Sequence, residues 1–215
     1  MRFSEQLRRT ADPIWRAQHA HPFVRGIGDG TLDPDRFRFY VRQDYLFLIE
    51  YGRVVALACA RAPRLELMEP FADLVRSTLR TELELHRAYA AEWGISRQQL
   101  EGEQPAPETR AYTDFLLRTA ALGDFAELVA ALLPCMWGYA EIAERLGASP
   151  NGLYARWIET YTGPDFAGLA RWCREVCDEA AAGVSEEGRR RMREAFLVSS
   201  RYELAFWEVA WRSVP

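Results

Sequence analysis

Apolar residues recur at a period of 3.6 along almost the whole chain, and no segment shows the sustained apolar–polar alternation of a half-buried strand. No other feature limits the fold as strongly, and it predicts an all-α protein. A first helix is expected over about residues 4–20, with Leu7, Ile14 and Trp15 on its apolar face and His21-Pro22 as its stop. Asp33 as N-cap and Pro34 at the first helical position start a second, which runs to about Arg61. Pro70 begins or kinks a third, which continues to Trp93 and stops at Gly94. The polar stretch 94–107 reads as a connecting loop rather than a domain boundary, because helical periods resume on both sides. Further helices are expected over about residues 108–121, from the Gly123-Asp124 break to Leu146, over a short segment holding Tyr154, Trp157, Ile158 and Tyr161, over 165–182, and from Ser185 to about Arg212. Residues 1–215 read as one domain, long enough for a single sizeable core.

Inside the helix that starts at Asp124, the stretch Leu133-Pro134-Cys135-Met136-Trp137-Gly138-Tyr139 breaks the local rules. A proline in a helix interior costs roughly 3 kcal/mol and removes a backbone hydrogen bond. Here it stands directly before a cysteine, with Tyr139 one turn further along the same face. A kinked helix with a thiol beside the kink suits a pocket wall that aims a nucleophile; a buried free cysteine in a core helix is the ordinary alternative.

Two acids stand in helices otherwise suited to burial. Asp44 belongs to Gln43-Asp44-Tyr45-Leu46-Phe47, with Phe47 and Tyr51 on its helical face. Glu203 belongs to Ser200-Arg201-Tyr202-Glu203-Leu204-Ala205-Phe206-Trp207-Glu208. A buried carboxylate needs a partner, which a structural ion pair or hydrogen bond could supply. An acid beside aromatic walls is also what a flat, polar heteroaromatic ligand requires. A carboxyl group in an apolar pocket exchanges protons near neutral pH, and a thiolate both attacks and leaves well. Together they suit addition to an electron-poor ring followed by elimination.

Charge and cysteine usage narrow the partners. A net charge of −4 argues against nucleic acid. The basic cluster Arg189-Arg190-Arg191 with Arg193 is flanked by Glu186, Glu187 and Glu194, and reads as a solvated helix face. No apolar run approaches the ~20 residues that span a membrane, and Met1-Arg2-Phe3-Ser4-Glu5 lacks an apolar signal core, so a cytoplasmic location is expected. Cys59, Cys135, Cys173 and Cys177 are too few and scattered for a disulfide framework. Cys173 and Cys177, four apart, are half a metal site without a second half. Glu82 and His86, also four apart, could ligate one metal as in helical iron bundles. Such a bundle needs more than one helix of that kind, and the chain has three histidines, two of them (His19 and His21) at a helix end.

Five motifs then stand in register: Gln43-Asp44-Tyr45-Leu46-Phe47; Glu84-Leu85-His86; Pro134-Cys135-Met136-Trp137-Gly138-Tyr139; the run from Tyr154 to Tyr161 (YARWIETY); and Tyr202-Glu203 with Phe206-Trp207-Glu208. In this order and spacing, along nearly the whole chain, they resemble the TenA/thiaminase II family. The resemblance implies a haem-oxygenase-like all-helical bundle, a homotetramer, and no metal, haem or other cofactor. It implies hydrolysis of 4-amino-5-aminomethyl-2-methylpyrimidine, and of thiamin, to 4-amino-5-hydroxymethyl-2-methylpyrimidine in thiamin salvage. Carried over by position, Cys135 resembles the nucleophile that adds to the ring, and Glu203 the acid that protonates a ring nitrogen. Asp44 resembles the residue that holds the ring's amino group, and Tyr112 and Tyr161 the hydroxyls that orient substrate and cysteine. Tyr139, Phe47 and Phe206 resemble the aromatic walls. Part of the family lacks the cysteine, so its presence favours the cysteine-dependent branch.

Two other readings use the same fold. One is a regulatory or ligand-binding protein, although the acidic charge and the lack of a basic recognition helix count against direct DNA contact. The other is an iron enzyme built on Glu82 and His86. Trp211, near the end of the last helix, is compatible with an interface.

Overall fold

The computed structural model describes residues 1–213, and among them every regular element is helical. The helices are α1 (Phe3–Thr10), α2 (Asp12–Ala20), α3 (Pro22–Asp29), α4 (Pro34–Arg61), α5 (Leu65–Ser77), α6 (Leu83–Glu92), α7 (Arg97–Glu101), α8 (Pro107–Leu122), α9 (Phe125–Leu146), α10 (Gly152–Thr162), α11 (Pro164–Ala182) and α12 (Glu186–Arg212). A π-helical turn, Thr78–Glu82, joins α5 to α6.

The starts expected from capping residues are present. Asp33 accepts from Asp35 N–H at 2.7 Å, Asp124 from Glu127 N–H at 2.8 Å and Ser185 from Gly188 N–H at 3.2 Å. Three expectations need correction. The first helix is two helices that meet at Ala11, because Pro13 has no N–H to donate and fits only a first turn, and a further helix, α3, follows on Pro22. Pro70 lies inside a helix that begins earlier, at Leu65. The connection 94–107 contains α7, started by Ser96, whose hydroxyl accepts from Gln99 N–H while the Gln99 side chain accepts from Ser96 N–H.

The bundle is assembled around α9, which packs against α12, α11, α10, α8 and α4. By length and composition α9 could cross a membrane, contrary to the expectation that no run comes close, but most of it is buried among these neighbours. Its core is unusually aromatic, with Trp15, Trp157, Trp207, Tyr40, Tyr51 and Phe37 among the fully buried side chains. Burial of an apolar side chain of this size contributes on the order of 2–3 kcal/mol, which lets the bundle hold several acids at its centre. The π turn approaches α4 closely at Gly52, where a Cβ would come within 3.2 Å of the Leu79 side chain.

The basic cluster of α12 is the solvated face expected from its sequence. Arg190 pairs with Glu187 and Glu194, and Arg193 with Glu186, while Arg191 reaches the α9 cap at Asp124. Trp211 is half-buried, with the Arg36 guanidinium 3.8 Å from its ring centre.

Candidate active site

Six helices and the π turn bring the predicted residues and their partners into one buried cluster. On α4, Tyr40, Asp44, Phe47 and Tyr51 follow one another at helical spacing on a single inward stripe. Helix α8 adds Tyr112, α9 adds Cys135 and Tyr139, α10 adds Trp157 and Tyr161, and α12 adds Glu203, Phe206 and Trp207. Glu82 closes the π turn, and His86 lies one turn further on in α6. All these side chains are buried. The aromatic rings form a continuous wall: Phe47 lies 4.8 Å from Tyr112 and 5.9 Å from Phe206, and Tyr139 lies 5.1 Å from Tyr161 and 5.3 Å from Trp207.

Asp44 has the partner that burial demands. His86 Nε2 lies 2.7 Å from Asp44 Oδ2, and Tyr40 O–H donates to the same oxygen at 3.1 Å. Trp157 Nε1–H donates to the Tyr40 oxygen at 3.1 Å, and Tyr139 OH lies 3.4 Å from it. The other ring nitrogen of His86 meets the Glu82 backbone carbonyl at 2.7 Å. Glu82 and His86 therefore do not form the chelating pair weighed from sequence, since both imidazole nitrogens are engaged within the protein. Among the described residues no group of three or more His, Cys, Asp or Glu is placed to hold a metal ion.

Glu203 is in a different state. Tyr112 O–H donates to its Oε1 at 2.6 Å, and no cation pairs with it among the described residues. Burial pushes its carboxyl up to about 8, the Asp44 charge adds to the rise, and the Tyr112 hydrogen bond opposes it. Glu82 is pushed up to about 7, by burial first and then by Asp44, with His86 opposing. His86 thus acts on Asp44 and Glu82, and two of the three carboxyl groups, Glu82 and Glu203, are raised into the neutral range.

Cys135 lies among all of them. Pro134 offers no N–H to the Ala130 carbonyl. The next two carbonyls accept from side chains: Ser199 O–H donates to Ala131 at 2.6 Å and Tyr51 O–H to Leu132 at 3.4 Å. Burial raises the Cys135 thiol well above its ordinary pKa, the charges of Glu203, Glu82 and Asp44 raise it further, and the Tyr51 hydroxyl opposes the rise. The resting group is therefore a thiol, whereas the chemistry read from sequence used a thiolate, so the proton has to leave when a substrate arrives.

Every site residue expected from sequence falls in this cluster. Tyr40, Trp157 and Trp207 were not singled out as site residues, and His86 was weighed as a metal ligand and placed in a family motif without being paired with Asp44. Tyr40 had a readable signal, since it stands four residues before Asp44 on the same face.

A thiol, three carboxyl groups and five phenols walled by aromatic rings inside a helical bundle define an enzyme site suited to a flat, polar ring. The chain belongs to the TENA/THI-4/PQQC family, whose model matches residues 8–213. It is 43% identical over 215 residues to the aminopyrimidine aminohydrolase of Halalkalibacterium halodurans, covering 98% of this chain and 96% of that one. The TenA homologue of P. horikoshii superposes with a TM-score of 0.91 at 33% identity, with both chains fully covered. A domain from Shewanella denitrificans described as having a haem-oxygenase-like fold superposes with a TM-score of 0.75 at 15% identity, over 97% of this chain and 92% of that one, which fixes the fold class.

Proposed function

We propose that the protein is an aminopyrimidine aminohydrolase of thiamin salvage, which converts 4-amino-5-aminomethyl-2-methylpyrimidine and water to 4-amino-5-hydroxymethyl-2-methylpyrimidine and ammonia. The observation that carries this reading is the placement of Cys135 beside Glu203, an acid that burial keeps protonated near neutrality, and Asp44, an acid hydrogen-bonded to His86. The ring lies against Phe47, Phe206 and Tyr139, and Asp44 accepts from its amino group. Tyr112 donates to Oε1 of Glu203, so Oε2 carries the proton toward a ring nitrogen.

Protonation of the ring makes it electrophilic, and the Cys135 sulfur adds to a ring carbon. The thiol proton passes to Glu82, whose carboxyl titrates near neutrality. Electrons then return from the ring to expel the amine, which takes that proton and leaves as ammonia. Water adds at the methylene and gives up one proton, sulfur leaves the ring as a thiol, and the ring proton returns to Glu203. Tyr51 and Tyr161 hold the thiol in line during both steps. Thiamin enters the same sequence with its thiazole as leaving group.

Assembly as a homotetramer and a cytoplasmic location belong to this reading and rest on the family resemblance; light scattering on the purified protein tests the first. The reaction is tested by measuring ammonia and hydroxymethylpyrimidine released from aminomethylpyrimidine, and thiazole released from thiamin. Release from either substrate supports the reading, and release from neither overturns it.

A further inference from the structure

The hydrogen bonds around His86 determine where its protons are. A backbone carbonyl can only accept, so the 2.7 Å contact to Glu82 O requires a hydrogen on Nδ1. The 2.7 Å contact from Nε2 to Asp44 Oδ2 requires a second proton, on the ring or on the acid. Trp157 donates to Tyr40, and the Tyr40 hydrogen has Asp44 Oδ2 at 3.1 Å as a nearer and more strongly accepting partner than the Tyr139 oxygen at 3.4 Å. An oxygen that receives the Tyr40 hydrogen favours the ionised acid, and a ring with acceptors at both nitrogens favours the imidazolium. Both bonds to Asp44 end on Oδ2, which leaves Oδ1 without a protein partner among the described residues.

From this arrangement we infer that His86 is a positioning residue that acts as an imidazolium, holding Asp44 as a carboxylate with Oδ1 directed to the exocyclic amino group of an aminopyrimidine. The inference rests on the substrate reading above for its ligand, and on the hydrogen-bond chain alone for the charge state. The titratable groups that act on His86 are Asp44 from α4 and Glu82 from its own segment. Burial alone would lower the imidazole, and the hydrogen bond and charge of Asp44 outweigh it, so the ring is raised overall. Without this cation, three buried carboxyl groups would share one centre with no compensating charge.

Two measurements separate this role from mere packing. The chain has three histidines, so imidazole ¹⁵N spectra of the wild-type protein are readily assigned. Burial and Arg145 lower His19 to about 4, so its ring is neutral between pH 6 and 8. His86 is expected to show two protonated nitrogens across that range, and a neutral His86 there would overturn the inference. The second measurement is calorimetric binding of 4-amino-5-hydroxymethyl-2-methylpyrimidine and of its analogue without the amino group. His86→Gln is expected to weaken the amino compound roughly tenfold at pH 8. The analogue should lose no more than about threefold. Equal losses for the two ligands would make His86 a packing residue. If wild-type protein binds neither ligand, the substrate reading fails, while the ¹⁵N spectra still decide the charge of His86.

Discussion

Cys135 and Cys173 are both free and nearly inaccessible, with 8% and 7% of their surface exposed, and they lie on helices that pack against each other. Burial therefore does not distinguish them. For Cys173 burial is the sole cause of a thiol raised to about 12. Cys135 is raised by burial and then by three carboxyl groups, with the Tyr51 hydroxyl opposing. The two therefore differ in what can take their proton. A cysteine in an apolar wall is inert because its proton has no acceptor. The same group beside a carboxyl group that titrates near 7 can be ionised on demand.

The largest expected effect removes the reactive thiol. Cys135→Ser should lose about 1000-fold in turnover, about 4 kcal/mol of barrier, while the ring still binds. Wild-type rates in that variant would erase the distinction between the two cysteines. Next is Glu203→Gln, which keeps the shape and the Tyr112 contact but holds no transferable proton. Its kcat should fall on the order of 100-fold with KM within about threefold, as for loss of a general acid. Unchanged turnover would remove Glu203 from the reaction.

The acid–thiol centre also has a pH signature. Glu203 is raised to about 8 in the folded chain, from an ordinary carboxyl value near 4.5 in the unfolded one. Between those values the folded state binds more protons than the unfolded state, so stability falls as pH rises through that window. Glu203→Gln should flatten that fall by an amount of order a few kcal/mol, read from melting temperatures at pH 5 and pH 8. Wild-type turnover should decline above about pH 8 as Glu203 loses its proton. An identical pH slope of stability in wild type and variant would mean that Glu203 is not the raised acid.

The parts of this centre that were legible in the sequence are those set by local spacing. Helical period and capping residues located α4, α8, α9 and α12, and an inward stripe is visible once Asp44 and its aromatic neighbours are placed on a helix. Partnerships between helices were not legible. Asp44 meets His86 across 42 positions, and no period links them. The π turn that ends at Glu82 depends on one wider loop of backbone within a run that is helical on both sides, a choice set by packing on Gly52 rather than by propensity. Pro13 was legible as a break and α7 as a capped helix, and both were passed over because their surroundings kept a helical period.

The smallest expected effect comes from the other thiol. Cys173→Ala removes one sulfur from a site between α11 and α9, and should cost about 1 kcal/mol of stability through the small void it leaves. No carboxyl group contributes to its raised pKa, so activity should stay within about threefold of wild type. Alkylation sharpens the same contrast. With substrate or product bound, modification of Cys135 should slow because the ring covers it, whereas Cys173 should react only as fast as the helices open, whether or not a ligand is bound. Peptide mapping of the alkylated protein reads both rates in one experiment. If ligand protects Cys173 and leaves Cys135 unprotected, the pocket lies on the α11 side of α9, and the acids around Cys135 serve the fold rather than the reaction.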